Sequence, residues 1–321
     1  MLTTPLLAAL ARRTGPVDVV TTPVAGPLLD KHPAVRQVML YDKGGAERGL
    51  GGLLHLARRL AGREYDAAYL PHRSLRTAAL ARLARIPRRV GFADGWPAFY
   101  TEVHPRARTG SESARLLGLL GPAGDAESPL PHLYPSADDD RAAAGFLAQA
   151  GVTGPFVALA PGSRWGTKRW PYYKELATRL GEELPVVVVG GPEDAGLGAG
   201  VAEAGGASRE RSACGKLTLL QSAALIGRAR LLVTNDSAPL HLATALGTPV
   251  VALFGPTVPG FGFGPLGAHD VVVEVAGLEC RPCSAHGPQT CPLGHHRCMK
   301  ALPVSRVLAA IEETGALRRR D

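Results

Sequence analysis

The strongest constraint on this chain is a repeated alternation, in which apolar runs of four to seven residues end in polar turns that lead into segments of helical periodicity. Strands this short and this apolar are buried on both faces, and strands separated by helices pair in parallel through crossovers. The pattern therefore predicts α/β architecture and excludes an all-β sandwich or a helical bundle. Apolar residues at Leu2, Leu6, Leu7 and Leu10 predict a helix over 2–13 that ends at Gly15. Strands are expected at 17–20, 35–41, 65–70 and 88–92, with helices at 50–60 and 75–83 between them. The second half repeats the scheme, with strands at 156–160, 186–189, 231–234 and 250–254 and helices at 138–150, 172–184, 218–228 and 239–246. A closing helix over 304–314 is placed to cross back to the first half.

A length of 321 residues suits two domains. Pro129, Pro131 and Pro135 punctuate a weakly patterned stretch, which puts the boundary near residue 135 and the domains at 1–135 and 136–321. A hydrophobic fraction of 45% excludes disorder. No apolar run approaches the ~20 residues of a membrane-spanning helix, so no transmembrane segment is expected. The segment Met1-Leu2-Thr3-Thr4-Pro5 lacks the features of a secretory signal, which predicts a cytoplasmic location. Lys and Arg exceed Asp and Glu by 36 to 28, a balance that suits an anionic partner or simply solvates the surface. Two doubly wound halves make the cleft between them the expected ligand site.

Three polar loops follow strands of the second half. In APGSRWGTKRWP (160–171), Gly162 permits close approach to a ligand, the Ser163 hydroxyl can donate to a phosphate, and Lys168 and Arg169 bring charge to a helix start. The alternative is an ordinary strand-to-helix loop with solvated cations, and the spacing is not that of a Walker A loop. In NDSAPLHLA (235–243), an anion would meet free N–H groups, Ser237 and His241 at a helix N-terminus. Otherwise Asp236 or Ser237 is a plain cap and His241 a core residue. In VGGPED (189–194), the carboxylates suit ribose hydroxyls or solvent. Together the three loops point to a nucleotide site.

These blocks, with VVALFGPT (250–257) and in this order, resemble glycosyltransferase family 9, and within it the ADP-heptose:lipopolysaccharide heptosyltransferases of the heptosyltransferase II-like branch. The resemblance spans nearly the whole chain and implies a GT-B fold, with two Rossmann-like domains holding acceptor (N-terminal) and ADP-sugar (C-terminal). By motif, Ser163 and Lys168 would contact the diphosphate, and Asp236, Ser237, Ala238 and His241 would form the phosphate-binding helix terminus. Glu193 would face the ribose, and Leu217 would lie in the adenine pocket. Thr4, Arg73 and Arg76 would meet the acceptor, although either arginine taken singly reads rather as part of a solvated helix face. The implied reaction is inverting transfer of heptose from ADP-heptose to the inner core of lipopolysaccharide at the inner membrane surface. It uses no cofactor and no catalytic metal, and nucleic acid is not an expected partner. Rival readings are a GT-B transferase using another nucleotide sugar and a non-catalytic protein that binds a nucleotide sugar or the core.

In the family a strand and a Gly-Asp pair precede the Leu-Thr-Thr-Pro segment, and that Asp is the proposed base. Here Leu2 takes the place of the motif's Leu, so the expected catalytic Asp lies upstream of Met1 and the first domain is expected to lack its first strand. None of Asp18, Asp30 or Asp42 matches the motif position, and the catalytic residue stays unassigned. The start is read as an internal one, with activity expected only from a chain extended upstream.

Cys280, Cys283, Cys291 and Cys298 have a spacing compatible with zinc, with His295 and His296 as further ligands, but only the first pair is close. Buried thiols and a redox pair are the alternatives, and Cys214 reads as structural. The purified protein is expected to carry substoichiometric metal and to keep its melting temperature in chelator. Tight zinc at about one per chain would reverse that expectation.

Overall fold

The computed structural model describes residues 1–124, 126–206 and 208–318. They form two compact units, one of residues 2–129 and the other beginning at Leu130, with Met1 grouped with the second.

The first unit runs α1 (Thr4–Thr14), β1 (Val17–Thr21), β2 (Val35–Leu40), α2 (Gly49–Ala61), β3 (Ala67–Leu70), α3 (Leu75–Leu83), β4 (Arg88–Phe92), β5 (Glu102–His104) and α4 (Glu112–Leu117). Its strands form two separate parallel sheets, β1–β2 and β3–β4–β5. Among the described residues no strand joins β1 to β3. Helices hold the sheets together. Leu6, Ala9 and Leu10 of α1 pack with Val90 and Phe92 of β4, while Leu7 packs toward Val17, Val19 and Val35 of the other sheet. On α2, Leu53, Leu56 and Leu60 join Met39 to Leu80 and Ile86.

The second unit runs α5 (Ala137–Gln149), β6 (Val157–Ala160), α6 (Tyr173–Gly181), β7 (Val186–Val188), α7 (Ala195–Ala204), α8 (Leu219–Arg228), β8 (Leu231–Asn235), α9 (Ala238–Leu246), β9 (Val250–Phe254), β10 (Val271–Glu274), α10 (Arg297–Lys300) and α11 (Val304–Glu313). Its five strands are all parallel, in the order β10–β9–β8–β6–β7. Every residue of β6, β7, β8 and β9 is buried, as the continuous apolar runs require. Capping boxes start α5 (Ser136 with Asp139) and α8 (Thr218 with Gln221).

The closing helix corrects one expectation. Val304, Val307, Ala310 and Ile311 of α11 are buried in the core of the second unit with Val273 and Leu253, so α11 completes its own domain instead of crossing back. Its apolar stripe is matched by the sheet face that β9 and β10 leave to be covered.

Elements that periodicity did not reveal are short or glycine-rich. The three-residue β5 and the six-residue α4 offer too few positions for a pattern. Helix α7 carries Gly196, Gly198 and Gly200, poor helix formers. Gly198 lies so near Cys214 and Ser212 that a β-carbon there would collide, so packing selects glycine against local propensity. Among the described residues no helix is long and apolar enough to cross a membrane.

Leu159 sits fully buried on β6, with β7 and β8 on either side. Leu159→Ala is expected to destabilise the second unit by about 2–5 kcal/mol through lost burial and a residual cavity, read from urea unfolding.

Candidate functional site

All strands of a parallel sheet end at the same edge, and here β8 lies between β6 and β9. The loops after Ala160, Asn235 and Phe254 are therefore neighbours, whatever their separation in sequence. One side chain binds two of them together. Asn235, fully buried at the end of β8, donates through Nδ2 to the carbonyls of Pro161 (2.9 Å) and Gly162 (3.4 Å). Its Oδ1 accepts from the Trp170 N–H (3.2 Å) and the Tyr173 hydroxyl (3.4 Å). Trp170 is pinned in turn by its indole N–H on the Leu302 carbonyl (2.9 Å). Both ends of the 161–170 loop thus close on one amide.

That loop delivers Lys168 into the interior. Lys168 Nζ donates to Asp236 Oδ2 at 2.5 Å, and the Thr257 hydroxyl donates to the same oxygen at 2.6 Å. All three residues are buried, Lys168 and Asp236 each with 8% of their surface exposed and Thr257 with 2%. Ser163 is buried in the same loop and accepts from the Trp165 N–H. A β-carbon at position 162 would strike the Asp194 carboxylate, which ties the third polar loop to the first and explains the glycine there. Asp194 accepts from the Gly191 N–H at 3.1 Å, and burial raises its carboxyl above the ordinary range.

Ser237 heads α9 without capping it; its hydroxyl is shared with that of Thr234 at 3.4 Å. Ala238 is exposed at the first helical position, and Pro239 follows without an N–H to lose. His241 lies in the same turn, edge-on to Phe263. Burial pushes its imidazole down to about 4, against the pull of Asp236, so it is neutral at pH 7. The helix start thus offers polar hydrogens and a partial positive charge beside a buried ammonium group, a combination suited to phosphate oxygens.

The cysteine-bearing segment is a strap over this loop. Pro288 O accepts from the Thr167 N–H (3.3 Å) and hydroxyl (2.5 Å), Gln289 Oε1 accepts from the Gly166 N–H (3.1 Å), and His296 Nε2 lies 2.7 Å from Thr167 O. His286 stacks on Trp165, and the backbone of Gly287 passes close to the Lys168 side chain. Arg281 donates to Thr257 O at 2.8 Å, and the Cys283 N–H donates to Pro256 O at 2.9 Å. All five cysteines are free thiols. Burial raises Cys298 to about 11, and Cys283 in the same direction. Burial also opposes ionisation of Cys291, but backbone N–H groups of 293–296 outweigh it and hold that thiol below its ordinary range. Among the described residues no three His, Cys, Asp or Glu side chains are grouped to hold a metal ion.

The remaining sequence candidates lie as follows. Glu193 is exposed on the turn before α7, and Leu217 is half-buried just before α8. In the first unit Thr4 is buried in the opening turn of α1. Arg73 pairs with Asp94 at 2.7 Å and stays largely exposed. Arg76 donates to the Tyr41 hydroxyl and to the carbonyls of Glu47 and Gly49, ties that hold the segment between β2 and α2. Beside them burial lowers His72, with Lys43 and Arg106 acting in the same direction. Asp18 is bound by Arg36, Arg63 and Tyr65 and serves as a structural anion. Sequence reasoning did not single out Thr257 or Arg281: a threonine after Gly-Pro and an arginine between cysteines carry no local signal of a shared partner.

Two α/β units, the second with its polar residues gathered at the carboxyl edge of a doubly wound sheet, define the GT-B fold class. The family model described as glycosyltransferase family 9 (heptosyltransferase) matches residues 53–293. The chain belongs to glycosyltransferase family 9. It is 28% identical over 270 residues to lipopolysaccharide heptosyltransferase 2 of Salmonella typhimurium strain LT2, covering 76% of this chain and 75% of that one. Among solved structures it superposes on a family 9 glycosyltransferase from Veillonella parvula with a TM-score of 0.86 at 25% identity, covering 99% of this chain and 94% of that one. Against the E. coli ADP-heptose lipopolysaccharide heptosyltransferase II the TM-score is 0.77 at 25% identity, covering 98% and 94%.

The depressed His241 imidazole predicts a pH dependence of stability. Its folded value, about 4, lies below the unfolded value near 6.5, so between these the unfolded chain binds more protons and stability falls as pH falls. Above about pH 6.5 the contribution is fully present. From about pH 7.5 to 4.5 the unaltered protein should therefore lose about 2–3 kcal/mol relative to His241→Gln, measured by urea unfolding across the range.

Proposed function

We propose that this protein transfers heptose from ADP-heptose to the inner core of lipopolysaccharide, with inversion at the anomeric carbon. The observation that carries the reading is the buried Lys168–Asp236 pair at the start of α9 in a member of family 9. The second unit takes the ADP-sugar and the first takes the acceptor. The diphosphate lies at the N-terminus of α9, with Ser163, Ser237 and Ala238 N–H around it and Lys168 turned toward it. Glu193 takes the ribose, and Leu217 lies against the adenine.

In the reaction an acceptor hydroxyl attacks the anomeric carbon of heptose from the face opposite the diphosphate. The bond from that carbon to the β-phosphate oxygen breaks, and ADP departs with the electron pair. Negative charge grows on the diphosphate as the bond lengthens, and Lys168 and the α9 dipole stabilise it there. A carboxylate takes the proton of the attacking hydroxyl, and no residue of this chain is assigned that part. Arg73, Arg76 and Thr4 contact the acceptor, whose anionic character suits the basic balance of the chain. The enzyme works in the cytoplasm against the inner membrane, with no cofactor besides its donor.

Two measurements test this. Incubated with isolated core acceptor and a panel of nucleotide sugars, the chain extended upstream in frame should yield a product heavier by one heptose from ADP-heptose and none from UDP- or GDP-sugars. A binding protein would retain ADP-heptose without product. Lys168→Ala, folded by circular dichroism, should bind ADP more weakly by about 1.5–3 kcal/mol, the range for a charge-assisted hydrogen bond. Unchanged ADP affinity would remove Lys168 from the donor site.

A further inference from the structure

We infer that Thr257 is a positioning residue for donor binding, holding Asp236 in place when Lys168 leaves it for the diphosphate. The inference rests on the donor site proposed above. Its starting point is that Asp236 Oδ2 accepts from two donors, Lys168 Nζ at 2.5 Å and the Thr257 hydroxyl at 2.6 Å. The second donor matters most if the ammonium group turns to another anion, because the hydroxyl alone then holds that oxygen.

The two donors differ in freedom to move. Lys168 ends a single 3₁₀ turn (Gly166–Lys168) and carries its charge on a flexible four-carbon stem. Thr257 has one short side-chain torsion, and its backbone is held on both sides. Its carbonyl accepts from Arg281 Nη2 at 2.8 Å, and the carbonyl of Pro256 before it accepts from the Cys283 N–H at 2.9 Å. Arg281 is itself fixed by the Val275 carbonyl and Glu274, each at 2.8 Å. A ligand can therefore draw Lys168 away while Thr257 stays.

Without Thr257, that departure would leave a carboxylate with only 8% of its residue exposed and no donor on Oδ2, and removing one partner of a buried ion pair is strongly destabilising. The Thr257 hydroxyl keeps one charge-assisted bond on that oxygen, so transferring the ammonium group to a phosphate costs less. Thr257 touches neither phosphate nor sugar in this scheme. Its effect passes entirely through Asp236 and Lys168, and that dependence is what an experiment can read.

The test is a double-mutant cycle on ADP binding by titration calorimetry, with the full chain unaltered and as Thr257→Val, Thr257→Ser, Lys168→Ala and Lys168→Ala/Thr257→Val. Thr257→Val keeps the side-chain shape and removes the hydroxyl; it should weaken ADP about tenfold, and Thr257→Ser should restore affinity to within about twofold. In the Lys168→Ala background no ammonium group has to leave, so adding Thr257→Val should change ADP affinity less than about twofold. In the chain extended upstream in frame, donor KM should rise with the ADP dissociation constant in Thr257→Val while kcat stays within about threefold. If Thr257→Val does not fold, Thr257→Ala takes its place in the cycle. Equal losses in both backgrounds would show a merely structural threonine and overturn the role, as would an unchanged affinity in Thr257→Val. An unaltered protein that binds no ADP would overturn the donor reading and this role together, whereas ADP binding with no coupling between Thr257 and Lys168 overturns this role alone.

Discussion

The geometry of the candidate site depends on one buried amide. Asn235 ends the strand beside β6 and meets the loop after β6 with both halves of its side chain, so the entry and exit of the 161–170 loop are fixed together. A buried amide must have its donors and acceptor satisfied, and here each partner belongs to the loop or to the first residue of α6. The loop has little freedom to open without stripping that amide. Lys168 consequently arrives at Asp236 from a fixed backbone, and only its side chain retains freedom.

The ion pair so formed is not a device for stability. Burying two charges costs desolvation that their attraction only partly offsets, and apolar residues in their place would fold as well or better. In the donor site proposed above, it holds positive charge that a phosphate can compete for. The cysteine-bearing strap contributes to the same site. It covers the 164–168 turn with hydrogen bonds from both strap and turn, and it anchors the 256–257 segment from the other side. Its backbone and its arginine, histidine and glutamine side chains make these contacts.

Much of this is legible in the sequence. The buried strands of the second unit read directly as valine, leucine and alanine runs, because strands covered on both faces need no polar alternation. Lys168, Asp236, Ser237 and His241 stood out because polar groups at the ends of such strands must project at one edge. Helix α7 is hidden in part because Gly198 answers to Cys214 and Ser212, residues outside the helix. The route of α11 was misread for a related reason. An amphipathic stripe states that a helix must be covered and leaves open which surface covers it.

The sequence alone determined the alternation of buried strand and helix, the edge at which polar loops gather, and the membership of those loops in one family's set. These follow from local periodicity and residue type, which short-range sterics and burial translate into structure within a few residues. Tertiary structure decided which side chains share an atom. That Thr257 and Lys168 meet on one oxygen of Asp236, that Asn235 closes a loop more than sixty residues earlier, and that the cysteine segment lies over Thr167 are consequences of strand order. Strand order brings distant segments together through a collective minimum of packing energy, and no short stretch of sequence carries that information.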